Sequence, residues 1–235
     1  MKLLALETST ETLSLAVQNG AQQWLHSGPG GALASQTVIA ALRALMAQAG
    51  LAFAELDAVL FGSGPGAFTG LRTACSVAQG LAFGAGVPVL PVPSLLALAE
   101  QARWQQPQPE AARVVLAAVD ARIDELYAEC YIFNSGLWSL HADYGLIRPE
   151  NLRCQPDWLL AGNAQAAYPG RVAPGQPGLL VLPSAAALLR LAPALLAAGR
   201  ALPAAQALPR YVRDKVAQTT AERALGRALR DAAGT

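Results

Sequence analysis

A chain of 235 residues is long enough to bury one large core or two small ones, and its charge is nearly balanced at +1. That balance excludes a protein that grips nucleic acid through a strong non-specific field. Hydrophobic residues make up 53% of the chain and charged residues only 14%, which leaves little polar surface and favours a partner that covers some of the rest.

Leu3 to Leu6 read as an apolar strand ending in Glu7, and Thr8-Ser9-Thr10-Glu11 turn the chain into a second strand, Thr12 to Gln18. Asn19-Gly20 is a hairpin signal, followed by a third strand over Gln22 to His26. A helix is expected from Ala34 to Ala49, with Val38, Ala41, Leu42, Leu45, Met46 and Ala49 on one stripe and Gly50 as its stop. Ala58 to Phe61 read as a buried strand, and Leu71 to Ala85 as a helix of small apolar residues. Glu7 and Glu11 interrupt the N-terminal apolar run, so no secretory signal is expected. The uncharged stretch from Thr73 to Ala99 is broken by Gly84, Gly86, Pro88, Pro91 and Pro93 before it could span a membrane. Cys75, Cys130 and Cys154 are odd in number and widely spaced, which suits a reducing cytoplasm.

After a linker rich in Gln and Pro (Arg103 to Glu110), the order recurs. Arg113 to Val119 read as a strand ending in Asp120, followed by strands over Glu125 to Phe133 and Leu137 to Ile147. A short helix is expected near Pro149, then a strand from Trp158 to Ala161 ending at Gly162, then helical sequence. An acid ends the first strand of each unit (Glu7, Asp120) and a glycine ends the fourth (Gly62, Gly162). The chain therefore reads as an α/β fold with a duplicated βββαβα unit. Domains are expected at 1–102 and 103–208, with a C-terminal helix over about 209–235 packing back on the first. Within the second domain, Pro193 is expected to kink or split the helix Ser184 to Arg200.

The glycine-rich segment Gly62-Ser63-Gly64-Pro65-Gly66-Ala67-Phe68-Thr69-Gly70 joins a strand to a helix, a place where backbone N–H groups often meet a phosphate. The common nucleotide motifs fail, because Gly70 is followed by Leu71-Arg72 and Gly62 and Gly64 are followed at the sixth position by Ala67. Glu7, Thr8, Ser9, Gly64 and Gly66 remain the candidate nucleotide contacts. Glu7 and Asp120 read either as a carboxylate pair that orients a hydrated Mg²⁺ across a cleft or as caps of the turns that follow them. His26 and His141 have no second imidazole at metal-ligand spacing, so no metal site is expected. Ser63 lacks the glycines of a nucleophile elbow.

Gly62-x-Gly64-Pro65-Gly66-Ala67-Phe68-Thr69-Gly70-Leu71-Arg72, then Ala78-Gln79-Gly80-Leu81-Ala82, is similar to the TsaB (YeaZ) family, within the actin-like ATPase superfamily. Asp120-Ala121-Arg122 with Glu125 and Tyr127 resembles the start of that family's second domain. Pro209-x-Tyr211-x-Arg213 resembles its C-terminal segment. The chain departs from the family at Glu7, where Asp is common, at Ala67, where Ser is common, and at Ala34-Ser35, where a His usually stands beside Ser or Thr.

The resemblance implies a duplicated ribonuclease H-like, actin-like fold and a non-catalytic cytoplasmic subunit that acts in tRNA threonylcarbamoyladenosine formation. Such a subunit would bind and activate a TsaD-like threonylcarbamoyltransferase. A TsaE-like ATPase would join a ternary complex, and a homodimer would form without TsaD. tRNA would be reached through the complex, with no cofactor of the chain's own, although the complex could bind nucleotide. The partner surface is expected on the two N-terminal helices, at Val38, Leu42, Leu45, Met46, Leu71, Ala74, Val77, Ala78 and Leu81, because a helix apolar on several faces needs an outer cover. The alternatives are a small actin-like phosphotransferase using ATP, and a peptidase.

Overall fold

The structure is a computed structural model, and it describes residues 1–213. The first sheet is built from β1 (Lys2–Glu7), β2 (Thr12–Asn19), β3 (Gln22–Pro29), β4 (Ala58–Gly64) and β5 (Val89–Pro93), in the order β3-β2-β1-β4-β5. The helices α1 (Ala34–Gln48), α2 (Phe68–Ala85) and α3 (Ser94–Trp104) belong to this half of the sequence. The second sheet is built from β6 (Arg113–Arg122), β7 (Glu125–Asn134), β8 (Leu137–Ile147), β9 (Leu159–Ala161) and β10 (Gly178–Leu179), in the order β10-β9-β6-β7-β8. It carries α4 (Ala164–Ala167) and α5 (Ala185–Ala197).

Read from the third strand inward, the two sheets have one topology: an antiparallel meander of three strands, then two strands added in parallel to the first. The expected duplication is present, and each unit extends it by a further strand and helix. In the second unit the first helix shrinks to a single 3-10 turn, Pro149–Asn151. α2 starts three residues earlier than the apolar run suggested, and β3 runs on to Pro29.

Alternation along β1 sends Leu4 and Leu6 to one side of the first sheet and Leu3 and Ala5 to the other. The first pair packs with α1 and α2. The second pair enters a central core that holds α3 and α5 and is closed on its far side by Val115, Ala117 and Val119 of the second sheet. The outer side of that sheet packs Leu116, Ala118, Leu126 and Cys130 against Leu152, Ala164 and Val172. Two helices thus lie between two sheets.

α3 contacts β6 and β7 of the second sheet as well as β4 and β5, whereas α5 packs on β1, β2 and β4 of the first sheet. The boundary expected at residues 102 and 103 falls inside α3. Glu100 is buried in this layer and joins its parts. It accepts from Arg103 Nε and Nη2 (2.8 Å each), Arg190 Nε (2.8 Å) and Trp138 Nε1 (3.0 Å). Pro193 does not split α5, which runs unbroken from Ala185 to Ala197. One backbone bond to Leu189 is lost, but Leu188, Leu189, Leu191 and Ala192 are buried and hold the preceding turns. From residue 214 on, the expected C-terminal helix lies outside the described residues; Pro209 to Arg213 belong to no helix or strand.

Candidate functional site

The glycine-rich loop closes on the chain itself. A Cβ on Gly70 would fall 1.8 Å from Thr8 O, one on Gly66 2.5 Å from Ser9 O, and one on Gly62 1.9 Å from Glu7 Oε2. Ala67 N donates to Ser9 O (2.7 Å), and Thr8 Oγ1 donates to Gly70 O (2.7 Å). The Gly64–Pro65 peptide is cis. These glycines let the start of α2 seat on the β1–β2 turn, a close approach that any side chain would prevent.

Glu7 is buried under Gly62. Its Oε1 accepts from Ser9 N (2.6 Å), and its Oε2 accepts from Ser94 Oγ (3.0 Å), which in turn accepts from Gly64 N (3.2 Å). Burial pushes the Glu7 carboxyl above its usual range, although donors from Ser9, Ser94 and Thr8 counter it. In the second unit Asp120 Oδ1 accepts from Arg122 N (2.8 Å) and from the Tyr168 hydroxyl (2.9 Å). Each acid therefore caps the turn two residues on, at matching places in the duplicated units.

A cleft of about 410 Å³ opens between the two sheets. Asp120, Arg122, Asn163 and Tyr127 line it on one side, and Thr10, Phe68 and Leu71 on the other. Of the five candidate nucleotide contacts only Ser9 and Gly66 reach it; Glu7, Thr8 and Gly64 are buried, and their polar groups are engaged within the chain. Glu7 and Asp120 are thus not a pair facing each other across the cleft. Among the described residues no cluster of three His, Cys, Asp or Glu is placed to hold a metal ion. Burial pushes the Cys130 thiol up to about 12 and Cys154 to about 11, so neither supplies a thiolate at neutral pH.

The cleft is crossed by the segment Pro209 to Arg213. Arg210 N donates to Ser63 O (2.7 Å), while its guanidinium reaches Glu129 Oε1 (2.5 Å) and Asp143 Oδ2 (2.9 Å). The Tyr211 ring lies 5.2 Å from Phe68, and its hydroxyl accepts from Arg72 Nε (3.1 Å). Arg213 donates to Glu125 Oε2 (2.6 Å).

The family model for TsaD, tRNA N6-adenosine threonylcarbamoyltransferase, matches residues 23–136. The tRNA threonylcarbamoyladenosine biosynthesis protein TsaB of Escherichia coli is 31% identical over 92% of this chain and 96% of its own length. The chain belongs to the TsaB family. TsaB of Haemophilus influenzae is 39% identical over 54% of this chain and 52% of its own length. The solved structure of YeaZ from Pseudomonas aeruginosa superposes with a TM-score of 0.80 at 40% identity, covering 89% of this chain and 99% of that one.

The TsaB-like stretches of sequence now have places. The glycine segment is the seat of α2, Asp120-Ala121-Arg122 is the second capped turn, and Tyr211 and Arg213 belong to the crossing segment. The partner residues expected on α1 and α2 need correction. Val38, Leu42, Leu45, Met46, Leu71, Ala74 and Ala78 are buried in the chain's own core, and Val77 and Leu81 are half-buried against it. The apolar stripe marked the inner face, which the first sheet already covers. The outer face instead shows Ile39 (47% exposed) and Phe83 (78% exposed), with Ser76, Gly80 and Gly84 also exposed on α2. Among the described residues a Cβ on Gly80 or Gly84 would meet nothing within 4 Å.

Proposed function

We propose that this chain is a non-catalytic subunit of tRNA threonylcarbamoyladenosine formation that binds and activates a TsaD-like threonylcarbamoyltransferase through the outer face of α1 and α2. The observation that carries the reading is Gly80 and Gly84, open to solvent beside Phe83. A glycine inside a helix is less stable than alanine by about 1 kcal/mol, and no neighbour among the described residues requires either one. Close approach of a second helix would, by the small-residue logic of tightly packed helices, with Phe83 and Ile39 as apolar anchors. The TsaD family model covers α1 and α2, so a partner built on similar helices fits the surface.

The subunit works in the cytoplasm, self-associates through the same face when the transferase is missing, and meets tRNA and a TsaE-like ATPase only in the complex. Nucleotide binding belongs to that complex. The phosphotransferase reading loses its main support because Glu7 is buried and engaged. Co-expression with a tagged TsaD-like protein, followed by size-exclusion chromatography, tests the proposal. Wild type co-elutes, whereas Phe83→Asp and Ile39→Asp do not. If both variants stay folded by circular dichroism and co-elute at wild-type affinity, the interface lies elsewhere.

A further inference from the structure

We propose that Arg210 and Tyr211 are positioning residues: together they hold the first turns of α2, and with them the partner face, at a fixed angle to the second sheet. The consequence for partner binding rests on the reading of α1 and α2 given above; the positioning itself does not.

The segment first runs along α2. Ala204 O accepts from Gln79 Nε2 (3.1 Å), and Ala207 is buried in the same core as Ala74, Ala78 and Ala82. It then crosses the cleft with alternating anchors. The Arg210 main chain belongs to the first half: its N–H donates to Ser63 O (2.7 Å), and its carbonyl lies 2.8 Å from the point a Cβ on Gly64 would occupy. The Arg210 side chain belongs to the second half, where it meets the buried carboxylate of Glu129 on β7 (2.5 Å) and Asp143 on β8 (2.9 Å).

Tyr211 returns to the start of α2. There Phe68, Arg72 and the tyrosine form one stack, with the Arg72 guanidinium 3.8 Å above the Phe68 ring. Arg213 goes back to the second half, donating to Glu125 Oε2 (2.6 Å) and Arg122 O (3.2 Å).

The segment as a whole thus ties one half to the other, with Arg210 bonded to both, Tyr211 to the first and Arg213 to the second. A single side chain, Arg210, bonds two strands of the second sheet while its own backbone pins the glycine loop from which α2 starts. This fixes α2 from its N-terminal end. Below the cleft the sheets meet through the helices α3 and α5, through apolar contacts and through the buried hydrogen bonds of Glu100. The charge-assisted, directional bonds of Arg210 at the rim of the cleft add a constraint on the angle at the end where α2 starts. Arg210 remains 39% exposed, so the staple can open locally without unfolding the core.

Hydrogen exchange of the full chain, read by mass spectrometry, tests this in wild type, Arg210→Ala, Arg210→Gln and Tyr211→Ala. The expected result is at least a tenfold faster exchange over residues 63–72 in Arg210→Ala and Tyr211→Ala, with residues 2–19 unchanged as an internal reference. Arg210→Gln, which can still donate to Glu129, should fall between. Affinity for the TsaD-like protein should drop at least tenfold in the alanine variants at equal folded fraction. If Arg210→Ala fails to fold, Arg210→Gln and Tyr211→Ala decide alone. Unchanged exchange over 63–72 in the folded variants overturns the positioning role. Faster exchange there with wild-type partner affinity overturns the link to the partner face. Faster exchange while wild type itself fails to bind the TsaD-like protein keeps the positioning role and sinks the proposed function.

Discussion

The guanidinium of Arg210 lies 2.5 Å from Glu129, a carboxylate that is 1% exposed and whose other oxygen accepts from the Tyr131 hydroxyl. A buried carboxylate without a cation is expensive, because desolvation is no longer offset. Arg210→Ala should therefore destabilise the protein by about 2 kcal/mol, below the roughly 3–5 kcal/mol of a fully buried broken pair because the arginine is partly solvated. The double variant Arg210→Ala with Glu129→Gln removes the stranded charge and should recover about half of that loss. Urea denaturation of the four proteins of the cycle measures it, and a double variant as unstable as the sum of the two singles would contradict the coupling.

Glu7 gives a pH dependence of known sign. Burial raises its folded pKa above the usual value, and Ser9, Ser94 and Thr8 only partly counter this. The folded state then binds its proton more tightly than the unfolded chain, so stability falls as pH rises from the unfolded value of about 4.5 through the raised folded value. Glu7→Gln removes the titration while keeping an acceptor for Ser9 N. The stability of wild type minus that of Glu7→Gln should fall across this window, as read by denaturant midpoints from pH 4 to 8. A flat difference would show that the carboxylate is not penalised in its pocket.

Glu100 runs the opposite way. Burial alone would raise its carboxyl, but the donors Arg103, Trp138 and Arg190 together hold it below the usual range. Its contribution is present above the unfolded value of about 4.5 and is lost as pH falls through the depressed folded value. Glu100→Ala would leave Arg103 and Arg190 without a counter-charge between the two sheets and should lower stability at neutral pH by about 3–5 kcal/mol. The deficit should shrink on acidification below about pH 4 as the wild-type carboxylate protonates. A constant deficit from pH 7 to 3 would argue that packing, not charge, accounts for it.

Gly62 and Glu7 form a size-matched pair. A methyl on Gly62 would sit 1.9 Å from Glu7 Oε2, and the carboxylate cannot swing away without breaking its bonds to Ser9 N and Ser94 Oγ. Gly62→Ala should therefore cost about 1–3 kcal/mol, as overpacked core positions do. Glu7→Asp, which shortens the arm by one methylene, should restore part of that in the double variant. Thermal unfolding of both single variants and the double variant tests it, with strict additivity as the result that removes the proposed fit.

The sequence made strands and duplication legible because both rest on local pattern: an apolar run capped by an acid, a turn, and a repeat of the same order. α3 was not foreseen, since nine of its eleven residues are buried and a helix covered on all sides has no stripe to detect. The apolar stripes of α1 and α2 turn inward, onto the chain's own core, for a related reason. Periodicity finds the apolar side, here spent on the chain's own core, whereas the outer face mixes small and polar residues such as Gly80, Gly84, Gln36 and Arg43 with the isolated apolar Ile39 and Phe83. Arg210 with Glu129 and Arg190 with Glu100 stand 81 and 90 residues apart, and no spacing rule connects such pairs. Pro209-x-Tyr211-x-Arg213 was visible as a motif, but that it crosses the cleft became clear only from the fold.

The outer face of α2 gives the last prediction, in which stability and association move in opposite directions. Gly80 lies well inside an 18-residue helix, and among the described residues neither its Cβ position nor that of Gly84 meets an atom within 4 Å. Gly80→Ala should therefore stabilise the isolated protein by about 0.5–1 kcal/mol, the ordinary gain of alanine over glycine in a helix interior. If a partner helix approaches this face closely, the added methyl must push it away. Gly80→Leu should then abolish co-elution with the TsaD-like protein while leaving the fold intact, and Gly80→Ala should weaken it measurably despite the gain in stability. A merely solvent-facing helix predicts the stability gain alone. The two readings separate on one titration: calorimetric affinity for the partner, compared between wild type and Gly80→Ala at the same folded fraction. Unchanged affinity with raised stability would place the interface away from Gly80.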